Sequence, residues 1–169
     1  MAPPATGRRC RTSVRRRLSA RPVSLTLRPI VSEHASGLLD TSAVILMARL
    51  DPSDLPERPL ISAITLAELS VGPLVASDEA ERAGRLAHLQ QADASFDPLP
   101  FDTDAARAFG QVAASLRRSG RKASARAYDA MIAAIAMSND LPLYTCNPDD
   151  FQGIEGLVIV AVPHPDRAP

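Results

Sequence analysis

Apolar residues fall along this chain in two rhythms, short unbroken runs and longer stretches at helical spacing, and their order predicts the elements. Gly37-Leu38-Leu39-Asp40 is an apolar run that stops on an acid, which predicts a buried strand, and a helix follows from Ser42 to Leu50. Pro59-Leu60-Ile61-Ser62 predicts a second strand, and Thr65 to Val71 a helix stopped by Gly72-Pro73. Ser77 is read as an N-cap, with Asp78, Glu79 and Glu81 in the first turn of a helix reaching Ala94. Phe96 to Leu99 predicts a third strand. Phe109, Val112, Ala113 and Leu116 recur at helical spacing in a helix that begins at Thr103, carries Arg117 and Arg118 in its last turn and ends at Gly120. Ala125 to Met137 predicts another helix, Pro142 to Thr145 a strand and Leu157 to Val162 the last strand. Alternation of this kind predicts an α/β fold, a parallel sheet with helices on both faces.

The two ends lack such patterning. Residues 1–36 carry Pro3, Pro4, Pro22 and Pro29 among arginines and have too little apolar surface to offset the entropy of ordering, so the segment is expected to be disordered. No long apolar core follows its basic residues, which argues against a secretory signal. Its Arg/Ser-rich, acid-free start resembles an organellar transit peptide, and a start site placed too far upstream accounts for it more simply. The expected division is an extension over 1–36, a domain over 37–163 and a loose tail over 164–169.

Charge sharpens that division. The chain is neutral overall, yet residues 1–30 hold eight Arg and no acid, leaving 11 basic against 19 acidic residues in 31–169. An acidic body suggests carboxylates kept for a cation. Aromatic residues make up 4% and Trp is absent, so the core must be aliphatic, which favours helices packed on a sheet. Cys10 and Cys146 show no metal-binding spacing, and His34, His88 and His164 form no ligand pattern and read as surface residues. These features argue against zinc and against a disulfide scaffold, and they point to a reducing cytoplasm. No apolar stretch approaches the length of a membrane span.

Three acids stand out by position. Asp40 ends the first strand, where ligands bind in open α/β sheets, although Asp-Thr-Ser also suits a helix cap. Glu68 sits on a short helix, flanked by apolar residues, where a lone Glu is ordinarily solvated. Asp129 opens Ala130-Met131-Ile132-Ala133-Ala134-Ile135-Ala136-Met137, apolar all round and therefore buried on every side. A carboxylate there either caps the helix or faces a polar site that holds a cation.

Taken in order, Leu38-Leu39-Asp40-Thr41-Ser42-Ala43, Ile64-Thr65-Leu66-Ala67-Glu68-Leu69, Tyr128-Asp129-Ala130-Met131-Ile132-Ala133-Ala134 and Thr145-Cys146-Asn147-Pro148-Asp149-Asp150-Phe151 resemble the PIN-domain family. The likeness is to the VapC-type toxins of bacterial toxin–antitoxin pairs in particular, and it spans residues 37–162. It implies a three-layer α/β/α sandwich around a short, mostly parallel sheet, with acids at the carboxyl edge binding Mg²⁺, or Mn²⁺ in its place. Asp40, Glu68 and Asp129 fall on the family's acidic positions. Asn147 falls on a fourth position without bringing a charge, and Asp150 matches a later acid. Asp149 and Asp150 could act through water or cap the short helix after Pro148. Thr41 and Ser42 adjoin the site.

The resemblance implies an endoribonuclease that hydrolyses phosphodiesters by metal-activated water and leaves 3′-hydroxyl and 5′-phosphate ends. Arg121, Lys122 and Arg126 are candidates for gripping the RNA backbone, whereas Arg117 and Arg118 can be explained as complements to a helix C-terminus. A small cognate antitoxin and a homodimer are further implied. Among other classes, haloacid-dehalogenase-like phosphatases want an Asp where Ser42 stands, and a receiver domain wants a late Lys where the chain has only Lys122. No P-loop or GxGxxG is present. A catalytically silent PIN-like scaffold that binds a partner protein is the alternative from outside enzymes.

Overall fold

In the computed structural model of the chain, which describes Met1 and residues 35–121 and 126–166, four short strands make one parallel sheet. They are β1 (Ser36–Leu39), β2 (Arg58–Leu60), β3 (Leu143–Thr145) and β4 (Ile159–Ala161), in the order β2-β1-β3-β4. The helices are α1 (Thr41–Leu46), α2 (Ala63–Val71), α3 (Glu79–Ser95), α4 (Thr103–Arg118) and α5 (Ala127–Ser138). From β1 the chain moves to β2 on one side, then returns to β3 on the other. The carboxyl ends of β1 and β3 therefore flank the point where the winding reverses, the place where such sheets bind ligands.

Successive strand residues point to opposite faces, and the two cores follow from that rule. Leu38 and Leu143, paired in register, join Val112 and Leu116 of α4 and Ile132 and Ile135 of α5. Leu39 and Tyr144, the next pair along, join Ala43 and Val44 of α1, Leu69 of α2 and Ala92 of α3. The expected three layers are present. Between β1 and β3 the packing is so close that a Cβ on Gly37 would lie 2.4 Å from the Tyr144 ring, which is why no larger residue fits there.

The apolar run after Asp129 is buried over most of its length: Ala130 and Ile132 through Ala136 are nearly inaccessible, while Met131 and Met137 are half-buried. Both α4 and α5 end by turning left-handed. Gly120 (φ +75°) lets the Arg121 N–H reach Leu116 O at 2.8 Å, and Asp140 (φ +53°) does the same for Leu141 N–H and Ala136 O at 2.9 Å.

Several boundaries differ from the sequence-based expectation. The first helix begins at Thr41 and gives way after Leu46 to a 3₁₀ turn, Met47–Arg49. The cap of α3 is Asp78, which accepts from Glu81 N, while Ser77 donates through its N–H and hydroxyl to the Glu81 carboxylate. Phe96 to Leu99 is not a strand: only Leu99 bridges to Ser62. Pro98 and Pro100 on either side lack the N–H a ladder needs, and the contact stops after Leu99 N–H to Ile61 O and Ala63 N–H to Leu99 O.

Ser36 opens β1, one residue before the strand expected from Gly37, and Ala35 O accepts from Arg58 N at 2.9 Å. The expectation for residues 2–34 lies outside the described residues, as do Lys122 and residues 167–169. In the segment after β4, Asp166 pairs with Arg49. Among the described residues, no helix is long and apolar enough to cross a membrane.

Candidate active site

Asp40 leaves β1 with its backbone still in the sheet, its N–H donating to Tyr144 O at 3.0 Å. Its side chain caps α1, so the capping role anticipated for Asp-Thr-Ser is real: Oδ1 accepts from Ala43 N at 2.8 Å. Capping uses only part of the carboxylate. Ser42 Oγ donates to both oxygens, at 2.8 and 2.9 Å, and Thr145 Oγ1 donates to Oδ2 at 2.7 Å. Asp40 is 6% exposed. Burial pushes its carboxyl above the ordinary range; the bonds from Ala43, Thr145 and Ser42 work against that, and the nearby charge of Glu68 adds to it.

Glu68 reaches the same region from α2. It is half-buried, and its Oε2 accepts from Thr41 Oγ1 at 2.5 Å, so it is not the solvated surface acid its helix position suggested. Asp129 comes from the first turn of α5, a helix whose start has no side-chain cap. Its carboxyl is pushed up to about 6, foremost by burial, then by the charges of Asp150 and Glu68 and more weakly Asp40, with Arg126 opposing. Asp129 thus feels the charge of Asp40 and Glu68, and Asp40 that of Glu68, the three acids being brought from the end of β1, from α2 and from α5 to a single edge of the sheet.

This donor set is made of hard oxygens. Cys146, though adjacent, is buried, and burial together with the Asp40 charge pushes its thiol up, so it stays protonated. Among the described residues no three acids stand at the separations of a ready-made metal cage. Asp40 and Asp129 are raised for the same two reasons, burial and the charge of neighbouring acids.

The remaining candidates separate. Asn147 lies just beyond β3, its N–H donating to Thr145 Oγ1 at 2.9 Å, and its side chain does not cap the 3₁₀ turn Pro148–Phe151. Asp150 sits within that turn and pairs through its carboxylate with Arg126. Arg121 Nη1 donates to Asp149 O at 2.6 Å, and Asp149 Oδ1 accepts from Gln152 Nε2 at 2.5 Å. Arg118 is paired with Glu155 at 2.8 Å. Sequence reasoning placed Thr145 in a matching segment but gave it no role; it is fully buried and binds Asp40 directly. The available signal was a Thr at the end of the strand next to the one that bears Asp40.

Comparison with known proteins agrees with this architecture. The PIN domain family model matches residues 37–157. Ribonuclease VapC5 of Mycobacterium tuberculosis is 40% identical over 131 residues, covering 76% of this chain and 94% of the relative. The tRNA(fMet)-specific endonuclease VapC of Shigella flexneri is 34% identical over 127 residues, covering 71% and 92%. Among solved structures, VapBC-5 of M. tuberculosis, a member of the VapBC family of toxin–antitoxin systems, is matched with a TM-score of 0.66 and 42% identity, over 76% of this chain and 99% of that one. With the same fold, the same span and identity of this order, the chain belongs to the PIN-domain family, among its VapC-type toxin ribonucleases.

Proposed function

We propose that Asp40, Glu68 and Asp129 hold a divalent cation, Mg²⁺ or Mn²⁺, with which this ribonuclease hydrolyses RNA phosphodiesters. The observation that carries the reading is Asp129: a half-buried carboxyl raised to about 6 among three further acids, at the entrance of a helix it does not cap. Such an arrangement is costly to the bare protein and becomes favourable when positive charge is supplied. When bound, the cation would neutralise charge on the phosphate and acidify a coordinated water.

The chain's own residues set the geometry. Asp40 is kept in one orientation by Ala43, Ser42 and Thr145, and Glu68 is steadied by Thr41. Arg126 sits between Asp150 and Asp129 in effect, paired with the one and lowering the pKa of the other. A guanidinium carries five N–H donors, so the bond from Arg126 to Asp150 and that from Arg121 to Asp149 O each leave donors for RNA phosphates. Lys122 is the third candidate for that grip.

The relatives supply the biological setting. One is named a tRNA(fMet)-specific endonuclease, another was solved as a member of the VapBC family of toxin–antitoxin systems, and a third, from Klebsiella pneumoniae, as a toxin–antitoxin complex. We extend to this chain an RNA substrate, a small cognate antitoxin and a homodimeric state. Incubating RNA with the protein, with EDTA and then with restored Mg²⁺, tests the chemistry. Cleavage that stops with EDTA, returns with Mg²⁺ and leaves 5′-phosphate ends supports it. Undiminished cleavage in EDTA, or none under any condition, refutes it, the latter in favour of a binding scaffold.

A further inference from the structure

The hydroxyl of Thr145 lies at the crossing of two bonds. It donates to Asp40 Oδ2 at 2.7 Å and accepts from Asn147 N at 2.9 Å. A hydroxyl has a single proton to give, and the Asn147 amide must take an acceptor lobe. That amide leaves the Thr145 proton directed at Asp40. Ser42 is arranged in the same way: its Oγ accepts from Cys146 N at 3.1 Å and donates to Asp40. Two successive backbone amides after β3 therefore orient two hydroxyls, and both hydroxyls converge on one carboxylate. Thr145 is fully buried, and its β-branched side chain has few rotamers to choose from in a strand. No solvent-mediated substitute is close at hand for a hydroxyl at 0% exposure.

We infer that Thr145 is a positioning residue for the cation site: through its bond to Oδ2 it fixes the orientation of Asp40, and through its bond from Asn147 it ties the following loop to that orientation. The inference rests on Asp40 being a ligand, as proposed above. Asp40 is attached to β1, Thr145 to β3, and the β1–β3 ladder already sets their backbones, with Asp40 N–H on Tyr144 O. What the ladder cannot set is the rotation of the carboxylate plane, and the hydroxyl does. The Ala43 N–H takes one lone pair of Oδ1, Thr145 takes one of Oδ2, and the single Ser42 proton is shared between the two oxygens, so the lone-pair directions left to a cation are set before it arrives. Partners that orient a ligand in this manner have a measurable effect on metal affinity.

The test is calorimetric titration of the full chain with Mn²⁺ alone, on wild type, Asp40→Ala, Thr145→Val, Thr145→Ser and Thr145→Cys, each melted beforehand to record folding. Thr145→Val should weaken Mn²⁺ binding by about tenfold or more, and Thr145→Ser should restore affinity close to wild type. Thr145→Cys, of similar size but with a weak donor, should resemble Val, and it serves in place of Val if that variant does not fold. A role in packing alone would lower the melting temperature of Ser as much as Val and leave affinity untouched in both. Wild-type affinity in Thr145→Val or Thr145→Cys overturns the inference while Asp40→Ala still abolishes binding. Unchanged binding in Asp40→Ala removes the ligand reading itself, and the inference with it.

Discussion

Thr41 and Glu68, 27 residues apart in sequence, are joined by a 2.5 Å hydrogen bond from the threonine hydroxyl to Oε2. The residue immediately after the strand-end acid thereby steadies the acid delivered by α2. Thr41→Val should free Glu68 to swing toward solvent. RNA cleavage should then fall at low Mg²⁺ and recover as Mg²⁺ is raised, because the loss is one of ligand orientation and not of the ligand. A deficit that persists at saturating Mg²⁺ would place Thr41 in the chemistry itself.

The raised carboxyl of Asp129 makes a stability prediction with a definite sign. Its folded value is about 6 against an ordinary 3.8, so the folded state binds the proton more tightly than the unfolded chain. Stability contributed by that proton is present below the ordinary value and is lost as pH rises through 6. Asp40 is shifted in the same direction. Without divalent metal, Asp129→Asn should therefore melt higher than wild type at pH 7, and the gap should close at pH 4. Thermal melts in EDTA at the two pH values decide it; a lower melting temperature for Asp129→Asn at pH 7 would show that the carboxylate is not repelled.

Arg126 and Asp150 pair at about a third exposure each, where an ion pair contributes roughly 0–1 kcal/mol. The larger effect is the field each exerts on Asp129, upward from Asp150 and downward from Arg126. Arg126→Ala should lower the melting temperature of the metal-free protein at pH 7, and Asp150→Ala should raise it. If both substitutions lower it by similar amounts, the pair itself is what matters and the field argument fails.

Legibility from sequence followed the range of the interactions. Asp40 stood out because a buried strand ending in a cap residue is a local pattern, and Asp129 because the apolar helix after it has no polar face. Both depend on residues within one or two turns. Thr145 and the Arg126–Asp150 pair were not readable as contacts, since their partners lie 105 and 24 residues away and meet only through the β1–β3 register and the α5 entrance. Phe96 to Leu99 misled because its apolar ends outweighed Pro98, and the prolines, not the hydrophobicity, decide whether a ladder can run. Ser77 misled for a subtler reason: Ser and Asp are near-equal caps, and the adjacent Asp78 takes the position because Glu81 then falls three residues on and reaches back to Ser77.

Away from the site, Asp140 closes α5 in the left-handed region at φ +53° and is exposed. Glycine adopts that conformation without the Cβ penalty, though it also gains freedom when unfolded. Asp140→Gly should stabilise the protein by up to about 1 kcal/mol, visible as a higher melting temperature with cleavage unchanged. A lower melting temperature would mean that the Asp140 side chain makes a favourable contribution at this turn.

The cleavage rate of a labelled RNA by Asp40→Ala and Asp129→Ala, each titrated with Mg²⁺ beside the wild type, tests the proposed site most directly. The account predicts a folded protein in both cases and a rate reduced by about a hundredfold or more at every Mg²⁺ concentration, since each change strips a carboxylate from a site that has few. Wild-type rates in both variants, with the same Mg²⁺ dependence, would contradict it and place the ribonuclease chemistry elsewhere on the protein.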